Sequence, residues 1–299
     1  MATLIDGSAV AARIRQNLRA RVDALAAQNR PVRLDAILVS SADETAAHVY
    51  AQNQARTCKS LGIDYALHEL PAVASQREIV QLIRRLNTDP NVHALMVHMP
   101  LPPGVDIYTV RAAIDPAKDV EGVSPANIGA IVYEHTSLAP CTALAVMRLI
   151  DETPLAGDAI KGKRVVIVGA SDIVGKPIAA MLMGREATVM SCNKFTDDLP
   201  ALAREAEIVV AAAGVAHLVT ADWVKPGAVV VDVGIHRVPV TGDPTGVKLR
   251  TVGDVDADSV STVAGWLSPV PGGVGPVTVA MLLANVVAAA ATAAAAPDE

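Results

Sequence analysis

Residues 165–177 read "VVIVGASDIVGKP": an apolar run ending on glycine, a loop of small residues, then a second glycine. Four branched aliphatic residues in succession fit a strand buried on both faces. Gly169 ends that strand, and a helix is expected to begin near Ile173. Glycines at such a junction let the backbone approach a phosphate, whose charge then meets the free amides of the helix start. The spacing is Gly-x-Ser-x-x-x-Gly rather than the usual dinucleotide GxGxxG, so an ordinary strand-to-helix turn competes with the nucleotide reading. The surroundings favour the nucleotide. "KRVVIVGAS", "ATVMSC", "AEIVVAAAG", "AVVVDVG" and "WLSPV" are short apolar runs separated by helical or turn segments, the pattern of a doubly wound parallel sheet.

The first half has the same alternation. "GSAVAARIRQNLRARVDALAAQ" carries apolar residues at helical spacing behind a Ser8 cap. "VRLDAILVS" reads as a buried strand, and a helix containing Tyr50 closes at Gly62. "DYALHELP" is a second strand, "SQREIVQLIRRLNTD" a capped helix, and "VHALMVHMP" a third strand that runs into a proline-rich loop at His98. Strand, helix, strand in this order implies parallel pairing through helical crossovers. The fold class is therefore α/β in two domains. Proline and glycine in "DETPLAGDAIKGK" interrupt the periodicity, which puts the first domain at 1–148 and the second at 149–275. The last helix, from Pro276 onward, is expected to return to the first domain, giving it residues 276–299 as well.

Composition narrows the function. The chain has 299 residues, 52% hydrophobic and 19% charged, which is globular, and a net charge of −6 with no basic block. That balance argues against nucleic acid and anionic membranes as partners. Cys58, Cys141 and Cys192 are widely spaced, with no CxxC and no His/Cys cluster, as suits a reducing cytosol without a metal site. "MATLIDGSAV" lacks the basic start and long apolar run of a signal peptide. The Ala-rich end is too weakly apolar for a span and reads as a helix fading into a frayed tail.

Other motifs sit at strand ends. After the second strand of the second half the chain reads "TVMSCNKFT", with Lys194 and no carboxylate before Asp197. An acid there would hold the ribose hydroxyls of NAD, whereas a lysine suits the extra phosphate of NADP; a solvated surface lysine is the competing reading. "SPVPGGVGPVTVAML" places prolines and glycines at a strand end before a long helix, which fixes an open backbone whose polar groups face a ligand. "HMPLPPG", "KDVEGVSPANIG" (with Glu121 and Asn127) and "APCTALAV" have the same character. Together they are expected to line one interdomain cleft.

With these motifs the chain resembles, from end to end, the bifunctional methylenetetrahydrofolate dehydrogenase/methenyltetrahydrofolate cyclohydrolase family. The stretches that carry the resemblance are "HMPLP", "KDVEG", "PANIG", "PCT", "GASDIVGKP", "VDVGI", "VGDV" and, most specifically, "PVPGGVGPVTVAML". The resemblance implies a three-layer α/β folate domain, a Rossmann domain for NADP, tetrahydrofolate one-carbon derivatives as substrates, and a cytoplasmic homodimer. It implies that Gly169, Ala170, Ser171, Ile173 and Ile235 line the cofactor, with Lys194 near the adenosine phosphate and Thr278 at the nicotinamide end. Tyr50, Pro100, Leu101, Glu121, Pro271, Gly272 and Gly273 would border the folate.

The resemblance breaks at the chemistry. The family signature is a tyrosine followed four residues later by lysine, a glutamine before the "PLP" loop, and an aspartate in "KDVDG". This chain has Tyr50, but Gln54, His98 and Glu121 at the other three places. Tyr50 and Gln54 share a helix face, and a tyrosine merely packed beside an amide is the bland alternative. Oxidation of a methylene bridge needs positioning, because the methenyl cation spreads its charge over two nitrogens. Hydrolysis needs a group that moves protons, which a glutamine amide does not do near neutrality and an imidazole does. The sequence thus reads as an NADP-dependent dehydrogenase with weakened or absent cyclohydrolase, unless the relay moved to His98. An enzyme for another methylene or iminium substrate, and a silent NADP- or folate-binding protein, are the other readings.

Overall fold

The structure, a computed structural model, describes residues 1–40, 45–239 and 248–293. The tail expected to fray beyond residue 293 lies outside the described residues. The strands are β1 (Thr3–Leu4), β2 (Arg33–Ser40), β3 (Asp64–Pro71), β4 (Ala94–Val97), β5 (Arg164–Val168), β6 (Thr188–Cys192), β7 (Ile208–Ala211), β8 (Val229–Asp232), β9 (His236–Pro239), β10 (Leu249–Val252) and β11 (Trp266–Leu267). The helices are α1 (Gly7–Ala26), α2 (Thr45–Ser60), α3 (Gln76–Thr88), α4 (Ile107–Ala112), α5 (Pro125–Val132), α6 (Cys141–Ile150), α7 (Gly175–Gly184), α8 (Leu199–Arg204), α9 (Ala257–Val260) and α10 (Val274–Ala293).

The chain divides into two compact units, residues 1–12 with 140–281 and residues 13–139 with 282–299. The division falls at 139/140 rather than at 148/149, because α6 packs on α7 and β8 and buries Ala143, Val146, Leu149 and Ile150 there. Residues 1–12 also fall in this unit, because β1 pairs with β11.

The first unit holds a parallel sheet in the order β1-β11-β8-β7-β5-β6. Its central strands are runs of valine buried on both faces, with Val166, Val168, Val209 and Val230 in one core. β9 and β10 pair antiparallel as a separate two-stranded sheet, which was not expected from the apolar pattern. Helix α1 is capped by Asp6, whose Oδ1 accepts the Ala9 amide at 2.9 Å. Ser8, the expected cap, lies inside the first turn, and its amide donates to the Gly272 carbonyl.

The second unit holds a parallel sheet β3-β2-β4. Helix α3 lays Ile79, Ile83 and Leu86 against Ile37, Val39, Leu95 and Val97. At ~1.5–3 kcal/mol for each buried side chain, those three anchor the helix. Its start is a capping box: Ser75 Oγ accepts from the Glu78 amide, and the Glu78 carboxylate accepts from the Ser75 amide. Its end is closed by Lys118, whose ammonium donates to the carbonyls of Leu86, Asn87 and Asp89.

Helix α10 starts at Val274, two residues ahead of the expected Pro276, and residues 282 onward fall in the second unit. By length and mean hydropathy, 2.0, it would pass for a membrane span, but 56% of that stretch is buried inside the protein. Asn285 settles its character: the side-chain amide donates to the carbonyls of Val120 and Ala139 and is itself buried.

Candidate active site and nucleotide loop

In the first unit, β5 delivers the chain to Gly169, which has φ +118°. A Cβ there would lie 2.1 Å from the Ala212 carbonyl oxygen, and one on Gly175 would lie 1.9 Å from the Gly169 carbonyl oxygen. Only glycine permits this close approach of loop to helix start. The helix consequently begins at Gly175, not near Ile173; Ile173 lies in the preceding turn, where Ser171 Oγ accepts the Gly175 amide at 3.4 Å. Gly169, Ala170 and Ser171 are left at least partly accessible ahead of the helix start. This cradle fits a dinucleotide phosphate, whose charge would meet the positive end of the α7 dipole.

Lys194 follows β6 by two residues. Asn193 shapes the turn, its Oδ1 accepting the Phe195 amide and its own amide donating to Thr196 Oγ1. Phe195, the single phenylalanine of the chain, is 80% exposed, and the Lys194 ammonium sits 4.9 Å from its ring centroid.

Ile235, Pro271, Gly272 and Gly273 line one cavity of about 80 Å³ with Asp232 and Thr251. Ile235 is exposed, and Thr278 turns its hydroxyl onto the Val274 carbonyl one turn back in α10. Two buried carboxylates hold the loops around that cavity. Asp232 accepts from the amides of Gly234, Asp254 and Val255. Burial still pushes its pKa up to about 6. Asp254 accepts from the amides of Ala213 and Gly214 and pairs with His236 Nε2 at 2.7 Å. "VDVGI" and "VGDV" are thus mutual loop clamps, which explains their glycines: a Cβ on Gly253 would lie 1.8 Å from Asp232 Oδ2.

In the second unit the structure brings Tyr50, Gln54 and His98 together. Tyr50 is 54% exposed, whereas Gln54 and His98 are buried. The Tyr50 and His98 rings meet edge to face, 5.7 Å apart at 89°. Gln54 Nε2 donates to the Met96 sulfur at 3.0 Å. Tyr65, from β3, places its hydroxyl 3.4 Å from both Gln54 Oε1 and His98 Nε2. Burial lowers the His98 pKa below its ordinary value and pushes the Tyr65 phenol well above its own, so both rings are neutral at pH 7. Tyr65 was not among the sequence candidates. The signal was available: it is as scarce an aromatic as Tyr50.

Pro100 follows a cis peptide bond after Met99 and is exposed, while Leu101 packs partly into the α3 core. Glu121 stands beside the end of β4, hydrogen-bonded to the Val97 backbone. The residue keeps some surface, but its carboxyl group is crowded by protein. Desolvation, with like charge from Asp119, raises its pKa to about 7. Asn127, expected among the lining residues, is instead buried scaffold: its amide donates to Asp119 Oδ2 and the Pro116 carbonyl.

Glu121 yields a pH prediction. Its folded pKa lies above the ordinary 4.5, so the folded state binds the proton more tightly. The stability from this group is full below pH ~4.5 and is lost as pH rises toward 7, by at most about 3 kcal/mol. In Glu121→Gln, denaturant midpoints should fall less steeply across that window than in the unaltered protein. Parallel pH curves would mean the carboxyl is not perturbed.

Residues 5–121 match the family model described as tetrahydrofolate dehydrogenase/cyclohydrolase, catalytic domain, and residues 140–294 match its NAD(P)-binding domain. The bifunctional protein FolD of Moorella thermoacetica is 45% identical over 289 residues, which cover 97% of this chain and 99% of that one. The bifunctional FolD methylenetetrahydrofolate dehydrogenase/cyclohydrolase from Campylobacter jejuni is similar in structure, with a TM-score of 0.89 at 38% identity over 98% of this chain and 99% of that one. The Trypanosoma brucei methylenetetrahydrofolate dehydrogenase-cyclohydrolase, solved with NADP and an inhibitor, gives a TM-score of 0.88 at 35% identity over 99% of both chains.

Proposed function

The chain belongs to the tetrahydrofolate dehydrogenase/cyclohydrolase family, and from that premise we propose an NADP-dependent methylenetetrahydrofolate dehydrogenase whose cyclohydrolase step is weakened. The observation that carries the weakening is Gln54, a buried amide held between the Met96 sulfur and the Tyr65 hydroxyl. It has no proton to give or take near neutrality.

NADP, when bound, supplies the acceptor for the hydride that leaves the methylene bridge. Gly169, Ala170, Ser171, Ile173 and Ile235 would line it at the start of α7 and beside it, Lys194 would read the extra phosphate, and Thr278 would lie at the nicotinamide end. Tyr50 offers an exposed ring face to the folate, with Pro100, Leu101, Glu121, Pro271, Gly272 and Gly273 as further substrate contacts. Oxidation demands little more than this positioning, since the cation formed is delocalised. Hydrolysis demands that water lose a proton. Here that duty falls to His98, whose burial makes it a weaker base than an ordinary imidazole.

The test follows NADPH formation and methenyl-tetrahydrofolate decay together in purified protein. NADPH should appear while the methenyl product accumulates. Methenyl decay that keeps pace with NADPH formation would overturn the weakening. Absence of NADPH formation with tight NADP⁺ binding would hand the lead to a different methylene or iminium substrate, or to a silent binding protein.

Lys194→Ala should raise the KM for NADP⁺ roughly 10- to 100-fold, the worth of one charge-assisted hydrogen bond of ~1.5–3 kcal/mol, and leave that for NAD⁺ nearly unchanged. Equal effects on both cofactors would show that Lys194 does not read the phosphate. A homodimer in the cytosol completes the reading, by family analogy and by the buried cysteines Cys58, Cys141 and Cys192, none of them in a disulfide. Sedimentation at micromolar concentration tests the dimer, and a monomer there would overturn it.

A further inference from the structure

The cluster beneath Tyr50 determines where its protons lie. A thioether sulfur accepts hydrogen bonds and cannot donate. Since the Gln54 amide end lies 3.0 Å from the Met96 sulfur, that end is the NH₂; turned over, the amide oxygen would face sulfur lone pairs. Gln54 Oε1 therefore points the other way, to the Tyr65 hydroxyl at 3.4 Å. An amide oxygen only accepts, so Tyr65 donates its one proton there. The phenol oxygen is left to accept from His98 Nε2, also at 3.4 Å. The Tyr50 ring, edge to face at 89°, holds the imidazole plane in that arrangement.

We propose that Tyr65 is a positioning residue for the one-carbon chemistry: it fixes His98 as the Nε2–H tautomer and leaves Nδ1 as its proton-accepting nitrogen. Sequence motifs give no hint of this, because the logic runs from β4 through α2 to β3 and back to the end of β4. Burial supports it by keeping the Tyr65 phenol protonated throughout the working range. The inference deepens the weakened-hydrolase reading and rests on it for its functional consequence: any proton that His98 takes from water goes to Nδ1. Its structural content stands apart from turnover.

The experiment is ¹⁵N NMR of histidine-labelled protein at neutral pH, with His98→Gln assigning the resonances. In the unaltered protein, Nε2 should resonate in the pyrrole-like range and Nδ1 in the pyridine-like range. Gln54→Leu removes the acceptor of the Tyr65 proton. The hydroxyl then turns onto His98 Nε2, and the two resonances should exchange positions. Tyr65→Phe added to Gln54→Leu should abolish that exchange. The same Gln54→Leu variant should lose the residual methenyl hydrolysis that His98 supports, since an Nδ1–H imidazole offers no free nitrogen there. An Nδ1–H form in the unaltered protein overturns the inference without any variant, as does a Gln54→Leu spectrum with the tautomer unchanged. Fast methenyl hydrolysis with the expected tautomers overturns only the weakened-hydrolase reading.

Discussion

The triple variant Gln54→Lys, His98→Gln, Glu121→Asp should hydrolyse methenyl-tetrahydrofolate ~10²–10⁴ times faster than the unaltered protein, the usual worth of one positioned acid/base group. Position 54 is 8% exposed in the wall beneath Tyr50, so a lysine there is desolvated and its pKa falls toward neutrality. The Tyr65 hydroxyl lies within reach to accept from it, replacing the proton Tyr65 now gives to Gln54. Gln54→Lys alone should recover only a small part, because His98 Nε2–H still competes for the same phenol oxygen. A triple variant that oxidises normally and hydrolyses no faster would show that position 54 is not the proton-moving site. His98→Ala in the unaltered protein separates the alternatives: if it abolishes a robust native hydrolysis, the relay sits on His98 and the weakening is wrong.

The largest effect on stability should come from Asp232→Ala. Its two carboxylate oxygens accept three buried backbone amides, those of Gly234, Asp254 and Val255, at 2.9 to 3.0 Å. Truncation strands all three, at ~1–3 kcal/mol for each unpaired group. Because the loops relax together, the sum is not fully additive, and about 4 kcal/mol is expected. That corresponds to a fall in Tm of roughly 10 °C for a unit of this size. A calorimetric shift under about 3 °C would mean that water or neighbouring groups take over the amides. NADP⁺ binding should weaken as well, since Gly234 leads directly into Ile235.

Much of this architecture is legible in the sequence. Strand β3 occupies the whole of "DYALHELP", and α3 begins where Ser75 and Glu78 announce a capping box, because both signals are local. Strand β1 was invisible because a two-residue pairing has no period to detect. Ser8 looked like a cap until the Gly272 carbonyl, from the far end of the sequence, took its amide. The candidate site divided in the same way. Gln54 and His98 were marked by departures from a motif, and Tyr50 by keeping it. Tyr65 joins them through its reach from the next strand, which no spacing along the chain encodes. Asn127 was misplaced for the converse reason: an amide in a loop motif looks available until its buried partner, Asp119, is seen.

Helix α10 has a consequence for how the protein is made. Its first eight residues count with the unit that opens the chain, and the rest with residues 13–139. Asn285 ties the carbonyls of Val120 and Ala139, which leave the ribosome some 150 residues earlier. Strand β1 waits almost as long for β11, from residues 3–4 to 266–267. Each unit therefore gains its full set of contacts only once this helix has been made. The same twenty residues serve both units, and they follow nearly all the other residues of each.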